Sequence, residues 1–481
     1  MNFLRQIKLF LWGHPPTSHK ERKLLFKIDC FVLSFVCLNY WVNYLDRTNF
    51  SNAYVSGMQE DLGMGHNEFN IVNTVFTVGY ILGMIPNNLI LLVVRPKYWL
   101  TFCLLVWGTL TLGMYKVENY KQICILRFFM AFFESSTFVG SQLILGSWYN
   151  SKIEIDEKTG RVATSELGKR SAIFTTSGLL GSIFSSFMQS SIYKNMHGLN
   201  GLAGWRWLFI IDFIITMPVM IYGFIFFPDT PDTCNSFYFT KEEIQLAKER
   251  LIKTDPMEPT TTPKKTKLDW SVISRVFGNW HWYLFSILWI FGGENVSFCS
   301  NSLFALWLKH KNYTIPQRNQ YPIGIFAIGI ISTFLAALYV DHTGGKNHHH
   351  IGLIISIVLI TSSIMILSKP NSHAVMFIAQ YLAGVSYSGQ AVFFSWANLI
   401  CRGDLQERAI VLASMNMFSG AVNAWWSLLF FSESTAPLFK KGCYAMIGTC
   451  VGSAATCLII QFLVRKREKK LVRVDSSQIS I

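Results

Sequence analysis

The sequence predicts an all-α membrane protein with twelve transmembrane helices in two pseudo-symmetric six-helix bundles, both termini cytoplasmic. Three observations predict it. Of 481 residues, 51% are hydrophobic and only 15% charged, a balance that a soluble chain of this length does not carry. Apolar runs of about 20 residues, long enough to cross the hydrocarbon core of a bilayer, recur twelve times. They fall six and six around one long hydrophilic stretch, as a duplicated bundle would.

The spans are placed at 28–50, 69–93, 98–115, 121–147, 170–192 and 205–227, then at 280–308, 321–341, 350–368, 373–398, 409–431 and 442–464. The chain divides into an amino-terminal tail (1–27), a first bundle (28–227), a central loop (228–279), a second bundle (280–464) and a carboxyl-terminal tail (465–481). With both termini inside, and with Arg170 and Lys121 at the span edges counted with the loops they adjoin, 30 of the 42 Lys and Arg lie on the cytoplasmic side and nine outside, which is the asymmetry that orients membrane proteins. The same asymmetry accounts for the net charge of +14 without nucleic acid.

The amino terminus is basic and interrupted by His14-Pro15-Pro16. It does not read as a cleavable signal, so the first span would direct insertion. In span one, Asn39, Asn43 and Asp46 share one helical face, and Tyr40, Asn43 and Arg47 the adjoining one. An acid and a base near a bilayer centre cost roughly 2.5–3.5 kcal/mol each on insertion scales, so this polar wall points to a transport pathway. Span four supplies Arg127 and Glu134, seven residues apart and therefore nearly on one face. Asp212 and Arg206 in span six read as scaffold, and Asp29 as a solvated residue at the cytoplasmic edge. In the central loop, Thr240-Lys-Glu-Glu243 has the capping-box pattern of a short amphipathic helix reaching to about Lys253. The stretch from Thr254 to Lys267 reads as a flexible connector.

In span seven, Gly292-Gly293 would loosen the helix beside Glu294 and Asn295, and Asn301 follows Glu294 by seven residues. Span ten offers Gln380 and Tyr387 at the same spacing, then Ser388 and Gln390. Span eleven aligns Asn416 with Asn423. The ten cysteines include no Cys-x-x-Cys pair, which argues against zinc or a disulfide framework. Cys443, Cys450 and Cys457 read as small residues on a packing face. His342 and His348-His349-His350 read as a solvated, weakly basic loop rather than a metal site. Asn312-Tyr-Thr314 is a glycosylation sequon on an external loop. No phosphate-binding Gly-rich loop and no nucleophile–base set occurs, which argues against an ATP-driven pump and a membrane enzyme.

Twelve spans in two halves resemble the major facilitator superfamily. Tyr44-Leu-Asp-Arg-Thr-Asn49, Arg127-Phe-Phe-Met-Ala-Phe-Phe-Glu134 and Gly201-Leu-Ala-Gly-Trp-Arg-Trp-Leu-Phe-Ile-Ile-Asp212 resemble its anion:cation symporter branch. Trp396–Ala409 and Met415–Trp426 carry the likeness to the fungal allantoate permease family within that branch. The loop after span two departs from the facilitator signature, reading Val94-Arg95-Pro96-Lys97, while Asp341-His-Thr-Gly-Gly-Lys346 keeps a partial version in the second half.

The resemblance implies a cavity lined by spans one, four, seven and ten. It also implies proton-coupled import of pantothenate across the plasma membrane by alternating access. Other small carboxylates (nicotinate, biotin, allantoate, a small peptide) are the alternatives, with a nutrient sensor or a proton-driven exporter behind them. Arg47 would hold the carboxylate with Arg127 as helper, since guanidinium forks match carboxylate geometry. Tyr40, Asn43, Asn295, Asn301, Gln380, Tyr387, Asn416 and Asn423 would meet the rest of the substrate. Asp46, paired to Arg47 in the empty site, would be the proton switch, with Glu134 and Glu294 as further proton-coupling residues. No cofactor and no metal is expected, and the protein would work as a monomer driven by the proton gradient.

Overall fold

The computed structural model describes residues 18–479, apart from 65, 150–153, 156–161, 164–165, 253–270, 301–302, 312, 314–316, 318–320, 370–371, 402 and 431–439. Span one is a continuous helical run. It begins at His19–Ile28, passes through a π turn at Asp29–Leu33 and continues as Ser34–Ala53. Span two is His66–Val93 and span three Pro96–Gly113. Span four is two helices, Tyr120–Glu134 and Ser136–Trp148, joined at Ser135. Spans five and six are Leu167–Met196 and Gly204–Phe226.

In the second half, span seven comprises Trp280–Ser300 and Leu303–His310. Spans eight and nine are Ile323–His342 and His348–Ser368. Span ten is His373–Ala383 and Ser388–Ile400, joined by a 3₁₀ turn at Gly384–Tyr387. Spans eleven and twelve are Leu405–Phe430 and Lys440–Ile479. Among the described residues, nine helices are long and apolar enough to cross a membrane. The β structure described there is one antiparallel ribbon pairing Glu154–Ile155 with Val162–Ala163.

Small residues allow the close packing that bilayer helices need. A Cβ at Gly79 or Gly83 of span two would lie 2.4–2.5 Å from the carbonyl oxygens of Phe128 and Phe132, so spans two and four touch along their backbones. Gly293 is closed off in the same way by Ser419 of span eleven. The expected loosening at Gly292-Gly293 does not occur: Trp280–Ser300 runs unbroken, because these glycines serve close approach to neighbouring side chains. Cys443, Cys450 and Cys457 are fully buried on span twelve, with Cys457 against Gly352 of span nine.

The halves meet along two seams, span two against eleven and span five against eight. The cytoplasmic ends are drawn together. The Lys169 amide donates to Asp341 Oδ2 (2.9 Å), Asn398 Nδ2 donates to the Gln142 carbonyl (3.2 Å), and Arg408 reaches the Gly146 carbonyl (3.4 Å) and Ser147 Oγ (3.1 Å). Below them the capping box forms as read, with the Thr240 amide donating to Glu243 (2.9 Å) and the Glu243 amide to Thr240 Oγ1 (3.2 Å). It opens the helix Lys241–Ile252, which Lys27–Glu243 (2.7 Å) and Arg250–Glu21 (2.9 Å) tie to span one. Thr254–Lys267 and Asn312 lie outside the described residues.

Two sequence expectations at this end are corrected. Asp29 is not simply solvated: Arg170 grips both its oxygens (2.7 and 2.9 Å) and Tyr149 Oη donates to it (2.7 Å). His348 and His349 are 2% and 5% exposed rather than solvated, because span nine starts two residues earlier than read and stacks His348 on Trp396.

Candidate functional site

Spans one and four bring their charges together near the external end of the first bundle. Arg47 Nε donates a hydrogen bond to Glu134 Oε1 in an ion pair across the two helices. Its guanidinium lies 4.5 Å from the Tyr80 ring centroid and 5.7 Å from those of Tyr44 and Phe76. Asp46, expected to pair with Arg47, instead accepts from Thr111 Oγ1 of span three at 2.8 Å. This is a correction with a simple cause: consecutive helical residues point about 100° apart and do not face each other.

Arg127 stands one helical turn outward, sandwiched between the rings of Phe50 (4.5 Å) and Phe76 (4.1 Å) and within electrostatic reach of Asp46 and Glu134. Asp46, Arg127 and Glu134 are 1–4% exposed, whereas the Arg47 side chain keeps 29%. Arg47 is therefore the most exposed of the four charged side chains, although its Nη2 is buried without a hydrogen-bond partner. Two of its partners, Tyr80 and Phe76, were not read from the sequence. Their four-residue spacing on span two is the signal that could have found them, since it puts both rings on one face.

About 10 Å nearer the cytoplasm, at 1.5 Å per residue, an aromatic floor crosses the molecule. Tyr40 packs on Phe174 (4.5 Å between ring centroids), Phe138 on Phe394 (4.7 Å) and Phe394 on Trp289 (5.1 Å), joining spans one, four and five to seven and ten. Gln390 Nε2 donates to Tyr40 Oη across the halves at 3.2 Å. Asn43 and Asn39 are buried beside this floor, and Asn43 Nδ2 and both polar atoms of Asn39 have no protein partner.

The second-half residues do not all converge on this cavity. Asn423 Nδ2 of span eleven donates to Glu294 Oε2 (3.3 Å), and Tyr387, packed on Gly329, lies close enough to Tyr44 to interact electrostatically. Asn416 is half-buried on the same helix as Asn423. Asn295 points elsewhere: its Oδ1 accepts from Thr449 Oγ1 of span twelve (2.9 Å). Gln380 faces a small cavity inside the second half, lined by Phe298, Trp307, Ile366 and Cys443. Asn301 lies outside the described residues. At the cytoplasmic end, His281, Cys401 and Glu407 approach one another. His281 Nδ1 and Glu407 Oε1 are hydrogen-bonded at 2.9 Å, tying span seven to span eleven far from Arg47.

A family model described as the Major Facilitator Superfamily matches residues 36–427. The chain belongs to this superfamily. As a major facilitator it is a membrane transporter and not an enzyme, and its two six-helix halves are those of the superfamily. The pantothenate transporter FEN2 of Saccharomyces cerevisiae is 53% identical over 469 residues, covering 95% of this chain and 88% of that protein. The pantothenate transporter liz1 of Schizosaccharomyces pombe is 38% identical, covering 94% of this chain and 85% of that protein. Among solved structures, that of the proton:xylose symporter XylE bound to 6-bromo-6-deoxy-D-glucose matches with a TM-score of 0.70. It covers 91% of this chain and 95% of that one at 12% identity, a likeness of fold alone.

Proposed function

We propose that this major facilitator imports pantothenate together with protons across the plasma membrane, acting as a monomer and needing no cofactor. The observation that carries the reading is the 53% identity with FEN2 along almost the whole chain. The site suits the substrate's chemistry. Pantothenate has a carboxylate at one end, an amide in the middle and hydroxyls on a branched cap. Arg47, partly exposed and held by one carboxylate, can exchange Glu134 for the carboxylate of a ligand. The amides of Asn39 and Asn43 and the Tyr40–Gln390 pair lie on the floor where the rest of the molecule would reach.

Coupling follows from that exchange. Once the substrate carboxylate occupies Arg47, Glu134 is left buried without its cation, and a proton from the external side neutralises it. Anion and proton then favour each other's binding, and the favour is reciprocal by linkage. With the site neutralised, the cytoplasmic contacts at Asp341, Asn398 and Arg408 give way and the halves rock to release both ligands inside.

Labelled pantothenate uptake by a pantothenate-requiring cell tests the reading, with and without a protonophore and in competition with nicotinate and biotin. Pantothenate is expected to be concentrated, the protonophore to abolish the concentration, and the competitors to have little effect. Stronger displacement by another monocarboxylate would reassign the substrate.

A further inference from the structure

Span six carries a buried acid that the import scheme leaves unused. Asp212 is 1% exposed; its Oδ2 accepts from Asn49 Nδ2 at 2.8 Å, and its Oδ1 has no partner. Asn49 follows Asp46 by three residues on span one, so the two are neighbours on one face. Span three completes the geometry. A Cβ at Gly108 would meet the Thr216 methyl at 3.0 Å, which sets the register between antiparallel spans three and six. One turn outward from that contact stand Thr111 and Asp212, and Thr111 donates to Asp46. Asp46, Thr111, Asn49 and Asp212 thus form one buried knot where spans one, three and six meet.

The groups that face Asp212 are negative or neutral. Span one presents Asp46 and Asn49, span three Thr111, and span five Ser185, which donates to Asn49 Oδ1 at 2.8 Å. Glu134 of span four acts on it at longer range, as does Asp46. Arg206, on the same helix, turns outward to the carbonyls of Tyr115 and Val117. Tyr54 and Lys116, on the turns packed against span six, belong to that outer end. Three carboxyl groups (Asp46, Glu134, Asp212) therefore share this interior with two guanidiniums (Arg47, Arg127). An unbalanced buried charge is among the costliest features a fold can hold, and one proton removes it.

We propose that Asp46 and Asp212 share one resident proton in the substrate-free protein, so that Asp212 sets the charge balance against which the coupled proton on Glu134 is counted. The proton is taken from external water when the empty site forms and stays on the pair, while the proton that accompanies the substrate is a second one. This deepens the symport reading, and only its functional meaning rests on that reading.

Infrared spectroscopy of the purified full-length protein at neutral pH tests it. A buried carboxylic-acid carbonyl band is expected in the substrate-free protein. It should be lost or displaced in Asp212→Asn and in Asp46→Asn, and shifted but retained in Asp212→Glu, which also serves if the Asn variant fails to reach the membrane. A band unchanged in Asp212→Asn overturns the shared proton. Wild-type uptake indifferent to a protonophore would overturn the symport reading instead, leaving the band to decide the proton by itself.

Discussion

Arg47 and Asp46 are adjacent in the chain, yet one serves Glu134 and the other Thr111. In the proposed scheme, Glu134 rather than Asp46 is then the carboxylate that a bound anion would displace. Replacing Glu134 by Gln keeps an oxygen for Arg47 but removes the titrating group. Exchange of labelled for unlabelled pantothenate is expected to persist, while accumulation against a gradient falls about tenfold or more, in the range of ordinary coupling energies. A Glu134→Gln protein that concentrates substrate normally removes that residue from coupling. The four charges themselves were legible, because an ionisable residue in an apolar run stands out and seven-residue spacing puts Arg127 and Glu134 on one face. Their pairing was less so, since it depends on which neighbouring helix each side chain meets. Thr111 and Tyr80 come from spans whose sequence carries no charge to mark them.

At the level of elements, most boundaries of the apolar runs agree with the helices to within a few residues, but the helix of span one starts nine residues early at His19 and that of span twelve runs fifteen residues on to Ile479, and interruptions do not follow from hydropathy. Span four breaks at Ser135, one turn before the floor residue Phe138, and span ten at Gly384–Tyr387, about 10 Å before Phe394 at 1.5 Å per residue. Short irregular turns inside membrane helices are tolerated where protein surrounds them, and Ser135, Ser386 and Tyr387 are all buried. Span nine took His348 and His349 into its first turn because Trp396 offers a surface to stack on, a tertiary cause invisible to a local pattern.

The central-loop helix was legible from its capping box. Burial acts to raise the pKa of Glu243, but the Lys27 hydrogen bond and the Thr240 amide outweigh it and hold the carboxyl below its usual 4.5. A depressed native pKa means that this tie stabilises the fold above the unfolded value and is lost as pH falls through the native one. Glu243→Gln should therefore cost about 1 kcal/mol at neutral pH, with the difference from wild type vanishing in acid. Thermal unfolding of the purified protein across that range checks it.

For the whole molecule, the duplication and orientation came from spacing and from the Lys and Arg asymmetry, which act through the bilayer and need no contact map. Which side is shut could not be read that way, because the contacts that shut it join segments some 170–260 residues apart, as Lys169–Asp341 and Gly146–Arg408 do. Asp341→Ala removes a charge-accepting partner of span five, a hydrogen bond worth about 1.5–3 kcal/mol. The population is expected to move roughly tenfold or more toward the inward-open state. Labelling of a Ser147→Cys protein by a thiol reagent applied from the cytoplasmic side should rise accordingly, and unchanged labelling would take Asp341 out of the closure.

The layer of protein between Arg47 and the cytosol has an electrical meaning as well. In the proposed scheme Arg47 is loaded from outside, and the aromatic floor and the joined helix ends stand between its partly exposed side chain and the cytosol. A transmembrane voltage falls across the insulating part of its path, so in this conformation most of the field is focused between the charge cluster and the cytosol. Each elementary charge crossing that layer gains about 2.3 kcal/mol per 100 mV. In the proposed scheme one monoanion and one proton cross that layer together with no net charge, so uptake at that stoichiometry is nearly insensitive to voltage and only a further proton would let the membrane potential contribute.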